Sequence, residues 1–207
     1  MTGPMGEAEI VVAQKVALRD RLLTERHRRS LWDVRADAER TTALLVDALP
    51  LRRAATVAAY VSIGREPGTG PLLDALRSQG KRVILPVLQP DGDLDWAVHD
   101  GELQAASRGL LEPHGPPLGV EAVATADVVL TPGLAVSADG TRLGRGGGSY
   151  DRALGRVPLG TFTCTLLYDE EYPVVVPVAP HDRRVVAVAQ PSGIHLTGWA
   201  RGRGSGP

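Results

Sequence analysis

The sequence predicts a three-layer α/β/α domain around a mostly parallel sheet. Two observations carry this. A strand-helix-strand pattern runs through "ATVAAYVS", "GPLLDALRSQG" and "RVILPVL", and several further short apolar runs show little polar alternation, as expected of strands covered on both faces. The 207 residues suit one domain spanning 1–207, although length alone also admits two lobes. The ends, 1–7 and about 197–207, are rich in Gly, Pro and small polar residues and are expected to be loose.

Residues 7 to about 31 place Ile10, Val11, Ala17, Leu18 and Leu22 at helical spacing on an otherwise charged segment, which predicts a first helix. A second, about 34–49, should stop at Pro50, because proline disfavours helical geometry in the residue before it. The helix "GPLLDALRSQG" should end at Gly80. "DLDWAVH" alternates and fits an antiparallel strand, whereas "DVVLTPG", "TFTCTLLY" and "RRVVAVAQ" read as buried strands.

Composition narrows the function classes. Lys plus Arg number 23 against 24 Asp plus Glu, a net charge of -1, which argues against a dedicated nucleic-acid surface or a polybasic membrane anchor. The single cysteine, Cys164, lies in an apolar run and reads as a buried small hydrophobe, and the scattered histidines offer no zinc pattern. With neither a leader pattern nor a long apolar stretch, the chain is expected to be cytoplasmic, and a monomer.

Chemistry concentrates in "GTRLGRGGGSYDRAL", residues 140–154. Consecutive glycines at Gly146, Gly147 and Gly148 lose more freedom on folding than other residues, so they suit a backbone that bends sharply or approaches something closely. Successive amides in such a turn, followed by a helix beginning near Ser149, can converge on an anion, with phosphate the natural guest. The run has neither the Lys-Ser/Thr of a P-loop nor dinucleotide-fold spacing, and "GGSYD" lacks the closing glycine of a hydrolase elbow. Glycine content alone fits a solvated surface loop equally well. Arg142 and Arg145, which can grip phosphate bidentately, and Asp151, which can hold the Mg²⁺ that accompanies a nucleotide, favour the phosphate reading.

This stretch resembles the R-L-G-x-G-x-G-Y-Y-D-R signature of the 5-formyltetrahydrofolate cyclo-ligase family. "KVALR", "YVSIGREPGTGPLLDAL", "GLLEP" and "TPGLAV" resemble further family segments in the right order, from Lys15 to about Ile194. The resemblance implies ATP- and Mg²⁺-dependent conversion of 5-formyltetrahydrofolate, with or without additional glutamates, to 5,10-methenyltetrahydrofolate, releasing ADP and phosphate.

It further implies that ATP is held by Lys15, Arg19, Arg142, Gly144, Arg145, Gly146, Gly147, Gly148, Ser149, Tyr150 and Asp151, with Arg145 and Tyr150 as catalytic residues. Folate would meet Glu66, Leu111, Glu112, Pro113 and Tyr150, and the metal Asp151. Physical sense exists beside the likeness. Lys15 and Arg19, four apart, share a helix face and could clamp a polyphosphate, though a solvated charged face fits too. Glu66 could accept from the N–H groups of a pterin, or simply face solvent. Tyr150 could stack or orient substrate, or merely pack.

Four departures from the family pattern stand out. Val136 and Ser137 replace a Phe-Asp pair, leaving Asp139 as a second candidate for the metal; Ser149 replaces one of two tyrosines; Val186 and Gln190 replace acidic and threonine positions. His181 and Asp182 match the family and could cap a turn or take part in catalysis. The departures keep a non-catalytic folate- or nucleotide-binding paralogue open, and the glycines and arginines alone would also fit a sugar-phosphate enzyme.

Overall fold

The computed structural model describes residues 6–203. Helices α1 (Glu7–Arg28), α2 (Leu31–Asp47) and α3 (Leu49–Arg53) come first, followed by strand β1 (Thr56–Ala58), helix α4 (Gly70–Ser78) and strands β2 (Arg82–Leu88) and β3 (Leu94–Val98). A ribbon of β4 (Leu103–Ala105) and β5 (Leu111–Pro113) precedes β6 (Val128–Pro132). A second ribbon, β7 (Ala135–Val136) with β8 (Arg142–Leu143), leads into α5 (Ser149–Arg156). Strands β9 (Phe162–Leu166), β10 (Ala187–Gln190) and β11 (Gly193–Leu196) and helix α6 (Gly198–Arg203) follow.

Seven strands form one sheet in the order β11-β10-β9-β6-β1-β2-β3. The inner five are parallel, and β3 and β11 fold back antiparallel at the two edges. Alternation along each strand feeds two separate cores. Val57, Val83, Leu85, Val128, Leu130, Ala187 and Ala189 join Leu45, Leu51, Leu72 and Leu76 from α2, α3 and α4 on one face. Ala58, Ile84, Val129 and Val188 point to the other, meeting Trp96, Val123, Ala153 and Leu154. Both faces are dry, which is why these strands read as apolar runs without polar alternation. The mostly parallel three-layer α/β arrangement is the one the sequence predicts.

Cys164 is fully buried in the first core, and burial pushes its thiol up to about 12, so it is the hydrophobe expected. No helix among the described residues is long and apolar enough to cross a membrane.

Boundaries differ where local chemistry intervenes. The Ser30 hydroxyl accepts from the Asp33 amide at 3.0 Å, so α2 starts at Leu31 rather than near residue 34. Pro50 does not simply end a helix; it sits in the first turn of α3, where its missing N–H costs nothing. The expected loose tail is partly ordered: Thr197 is buried with its hydroxyl 2.7 Å from the Val185 carbonyl, the Gly198 amide donates to Ala138 at 2.7 Å, and α6 follows. Those long-range bonds leave no apolar trace in the sequence. Glu7, also assigned to a loose end, opens α1, while residues 1–5 and 204–207 lie outside the described residues.

Candidate functional site

One cavity of about 1050 Å³ opens at the carboxyl ends of β1, β2 and β6, where Tyr60, Pro86, Leu88, Pro132 and Gly133 reach its wall. Open parallel sheets collect ligands at this edge, because the connections diverge there and leave a crevice. The chain leaves the sheet after β1, turns at Gly64 with φ +58°, and brings Ile63 and Glu66 to the cavity. The segment after β8 supplies Gly144, Arg145, Gly146, Gly147 and Gly148, and α5 supplies Ser149, Tyr150 and Asp151. Helix α1 closes the far side with Val11, Lys15 and Arg19.

The glycine segment is shaped for its neighbours. Gly146 and Gly148 have φ of +103° and +70°, where a side chain is strained, and a Cβ on Gly144 would lie 2.8 Å from an Arg142 terminal nitrogen. The amides of Arg145, Gly146, Gly147 and Gly148 donate to no acceptor among the described residues. Four unengaged donors beside the N-terminus of α5 are groups that could receive anionic oxygens.

The cations occupy different settings. Lys15 is buried and its ammonium lies 2.6 Å from both Asp182 oxygens, while Arg19 Nε donates to the Gly144 carbonyl at 2.8 Å, so α1 is fastened to the glycine segment from 125 residues away. Arg142 is buried rather than open to solvent. It bonds the Pro132 carbonyl at 3.0 Å and Asp151 Oδ1 at 3.2 Å, and its guanidinium carbon lies 5.7 Å from the Tyr150 ring centroid. Arg145 is half exposed and reaches across to Glu66, Nε to Oε1 at 3.0 Å, so a candidate nucleotide residue touches a candidate folate residue.

Asp151 Oδ1 also accepts from the Arg183 amide at 3.2 Å, which leaves Oδ2 without a hydrogen-bond partner among the described residues and available to a cation. Asp182 also lines the cavity, but both its oxygens are engaged by Lys15, and Oδ2 accepts from the Ala179 amide at 2.7 Å as well. Asp139 does not line the cavity: its carboxylate is engaged by Ser137, by Thr141 at 3.0 Å and by Arg184 at 3.1 Å, so it is not in place to share a metal with Asp151. No cluster of three metal-ligating side chains exists among the described residues, so any Mg²⁺ would depend on phosphate oxygens and water for most of its ligands.

On the other wall, Leu111 and Glu112 line the cavity, Glu112 Oε1 accepting from the Leu88 amide at 2.9 Å, whereas Pro113 is buried in the ribbon and does not reach it. Tyr150 is half-buried, and desolvation together with the nearby Glu66 charge holds its phenol above the ordinary range, against the opposing pull of Arg142. Tyr60, Val11 and Ile63 line the cavity but were not singled out from sequence as ligand-contacting residues, and Asp182, singled out for a turn cap or catalysis, lines it too. The carboxyl end of an apolar run was the signal for Tyr60.

Three of the four departures lie away from the cavity. Ser137 and Val186 do not line it, and buried Gln190 donates to the Tyr168 and Asp169 carbonyls at 2.8 and 3.0 Å, a structural task. Ser149 does line it, and its hydroxyl donates to the Gly92 carbonyl at 2.5 Å, tying the start of α5 to the β2–β3 turn.

Comparison with known proteins places the family and the fold. A model of the 5-formyltetrahydrofolate cyclo-ligase family matches residues 11–191. The chain is similar to 5-formyltetrahydrofolate cyclo-ligase of Mycolicibacterium smegmatis, 42% identical over 142 residues that cover 66% of this chain and 73% of that protein. The Escherichia coli protein of the same name is 40% identical over 110 residues, 51% of this chain and 60% of its own. The fold matches the NMR structure of Aquifex aeolicus 5,10-methenyltetrahydrofolate synthetase with a TM-score of 0.76 at 25% identity, covering 88% of this chain and 92% of that one. A Mycoplasma pneumoniae 5,10-methenyltetrahydrofolate synthetase shares the fold, with a TM-score of 0.68 at 20% identity over 84% of this chain and 97% of that one.

Proposed function

Because the chain belongs to the 5-formyltetrahydrofolate cyclo-ligase family, we propose that it converts 5-formyltetrahydrofolate to 5,10-methenyltetrahydrofolate with ATP as phosphoryl donor. The observation that carries the ATP half of this reading is the set of four unengaged amides at residues 145–148, bordered by Lys15, Arg19 and Arg145 in one cavity.

The formyl oxygen is a poor leaving group until it is phosphorylated. Its attack on the γ-phosphorus forms an O–P bond and releases ADP; the N10 nitrogen then bonds to the activated formyl carbon, and phosphate departs as the N10 proton is lost. Such chemistry asks a protein chiefly for positioning and charge stabilisation, not for a nucleophile. In this reading the glycine amides and Arg19 receive the phosphate chain, and Arg145, the exposed guanidinium, follows the transferring group. The 3.0 Å contact between Arg145 and Glu66 supports an arrangement in which the two substrates meet at that pair.

Asp151 fits a metal through its Oδ2, which bonds nothing among the described residues, whereas both oxygens of Asp182 are taken by Lys15 and the Ala179 amide. Mg²⁺ bound with ATP would neutralise charge on the phosphates. Arg142 orients Asp151 from below, and buried Lys15 is held by Asp182. Tyr150, kept protonated by burial, can donate to substrate throughout the ordinary pH range.

The test is growth of the methenyl absorbance band from 5-formyltetrahydrofolate with ATP and Mg²⁺. Wild-type protein should produce it, and Asp151→Asn should reduce it at least about 100-fold, the scale of losing charge stabilisation at a reacting phosphate. Undiminished turnover in Asp151→Asn would overturn the assignment of the phosphate end.

A further inference from the structure

Among the described residues, five buried side-chain polar atoms have no hydrogen-bond partner: Thr42 Oγ1, the Tyr60 hydroxyl, Trp96 Nε1, His99 Nδ1 and Arg142 Nε. Only Tyr60 and Arg142 line the cavity, and the other two guanidinium nitrogens of Arg142 are bonded. The Tyr60 hydroxyl is the sole polar atom of its side chain, the residue is 3% exposed, and it stands just beyond the carboxyl end of β1. A buried donor left unpaired is costly, and proteins keep such a group chiefly where something else completes it.

We propose that Tyr60 is a substrate-contacting specificity residue whose hydroxyl donates a hydrogen bond to a carbonyl-type acceptor of the reduced folate. The inference rests on the functional reading above. The phenol stays protonated, because burial and then the Glu66 charge both disfavour its anion. It therefore acts as a donor and needs an acceptor. A polyphosphate does not suit this place: the apolar residues Val61, Ile63, Pro86 and Leu88 line the cavity with Tyr60, and the negative Glu66 carboxylate acts on its phenol. A flat heterocycle carrying amide-like oxygens suits an apolar wall with one donor.

The proposal predicts opposite signs for stability and binding. In Tyr60→Phe the ring and its packing remain, and the unpaired hydroxyl disappears. The melting temperature of the ligand-free protein should rise, on the order of 3 °C. The Kd for 5-formyltetrahydrofolate should increase about tenfold, and the Kd for ADP should stay within about twofold. A structural role for the hydroxyl would lower the melting temperature and weaken both ligands together, which overturns the proposal. So does an unchanged folate Kd in a protein whose wild type binds folate. A wild-type chain that binds ADP but no 5-formyltetrahydrofolate overturns the functional reading, and the proposal with it.

Discussion

Arg145→Ala separates catalysis from folding more cleanly than any other substitution at this site. Arg145 is half exposed, and among the described residues its one side-chain hydrogen bond is to Glu66 Oε1 at 3.0 Å. An ion pair with one partner in solvent is worth less than about 1 kcal/mol, and at this chain length 1 kcal/mol moves the melting temperature by roughly 2–4 °C. The variant should therefore melt within about 4 °C of wild type. If its guanidinium follows the transferring phosphoryl group, removing it costs about 2.7–4 kcal/mol of transition-state stabilisation, or roughly 100- to 1000-fold in kcat. The assay is initial rate of methenyl product at saturating ATP and folate, beside a thermal melt. A kcat within about threefold of wild type would refute the role assigned to Arg145. A melt lowered by 10 °C or so would instead make the residue a structural one.

Other consequences are independent of that site. Arg26 and Glu171 form a buried pair, Nε to Oε1 at 2.7 Å, and a second Arg26 nitrogen bonds the Gly133 carbonyl at 2.6 Å; Glu171→Ala leaves the guanidinium unpaired and should cost about 3–5 kcal/mol, read as a melting temperature lower by roughly 10 °C. Native Cys164 should resist a thiol reagent at pH 8 and react fully in denaturant, and prompt reaction of folded protein would contradict its burial. Asp93 is held below the ordinary aspartate range first by its bonds to Arg156, and Asp127 by the Thr56 and Ala55 amides. Depressed carboxyls bind fewer protons folded than unfolded, so their stabilisation is present above the ordinary aspartate pKa of about 3.9 and lost as pH falls through and below it. Melts from pH 7 down to 3 should show that loss, and Asp93→Asn should flatten it.

How far the site was legible depended on sequence distance. The glycine run, its two arginines and Asp151 lie within ten residues, and the positive φ of Gly146 and Gly148 is what such a run announces. The sheet was legible because strands dry on both faces leave uninterrupted apolar runs. Pairings such as Lys15 with Asp182, 167 residues apart, have no local signature. Nor does the burial of Arg142, whose side chain runs beneath the loop to the Pro132 carbonyl. Asp139 was a candidate ligand because it lies two residues beyond Ser137, where the family pattern has an aspartate, but a turn between β7 and β8 commits its oxygens to Ser137, Thr141 and Arg184. The three-residue strands β4 and β5 are too short for a two-residue period to register, and α6 is positioned by backbone bonds that any side chains could accompany.

The central claim is that one cavity joins a triphosphate to a reduced folate and couples them chemically. It is tested most directly by the stoichiometry of ADP released to methenyl product formed when wild-type protein is given ATP, Mg²⁺ and 5-formyltetrahydrofolate. The account predicts one ADP per product and negligible ADP without the folate; tight binding of both ligands with no ADP formed would contradict it.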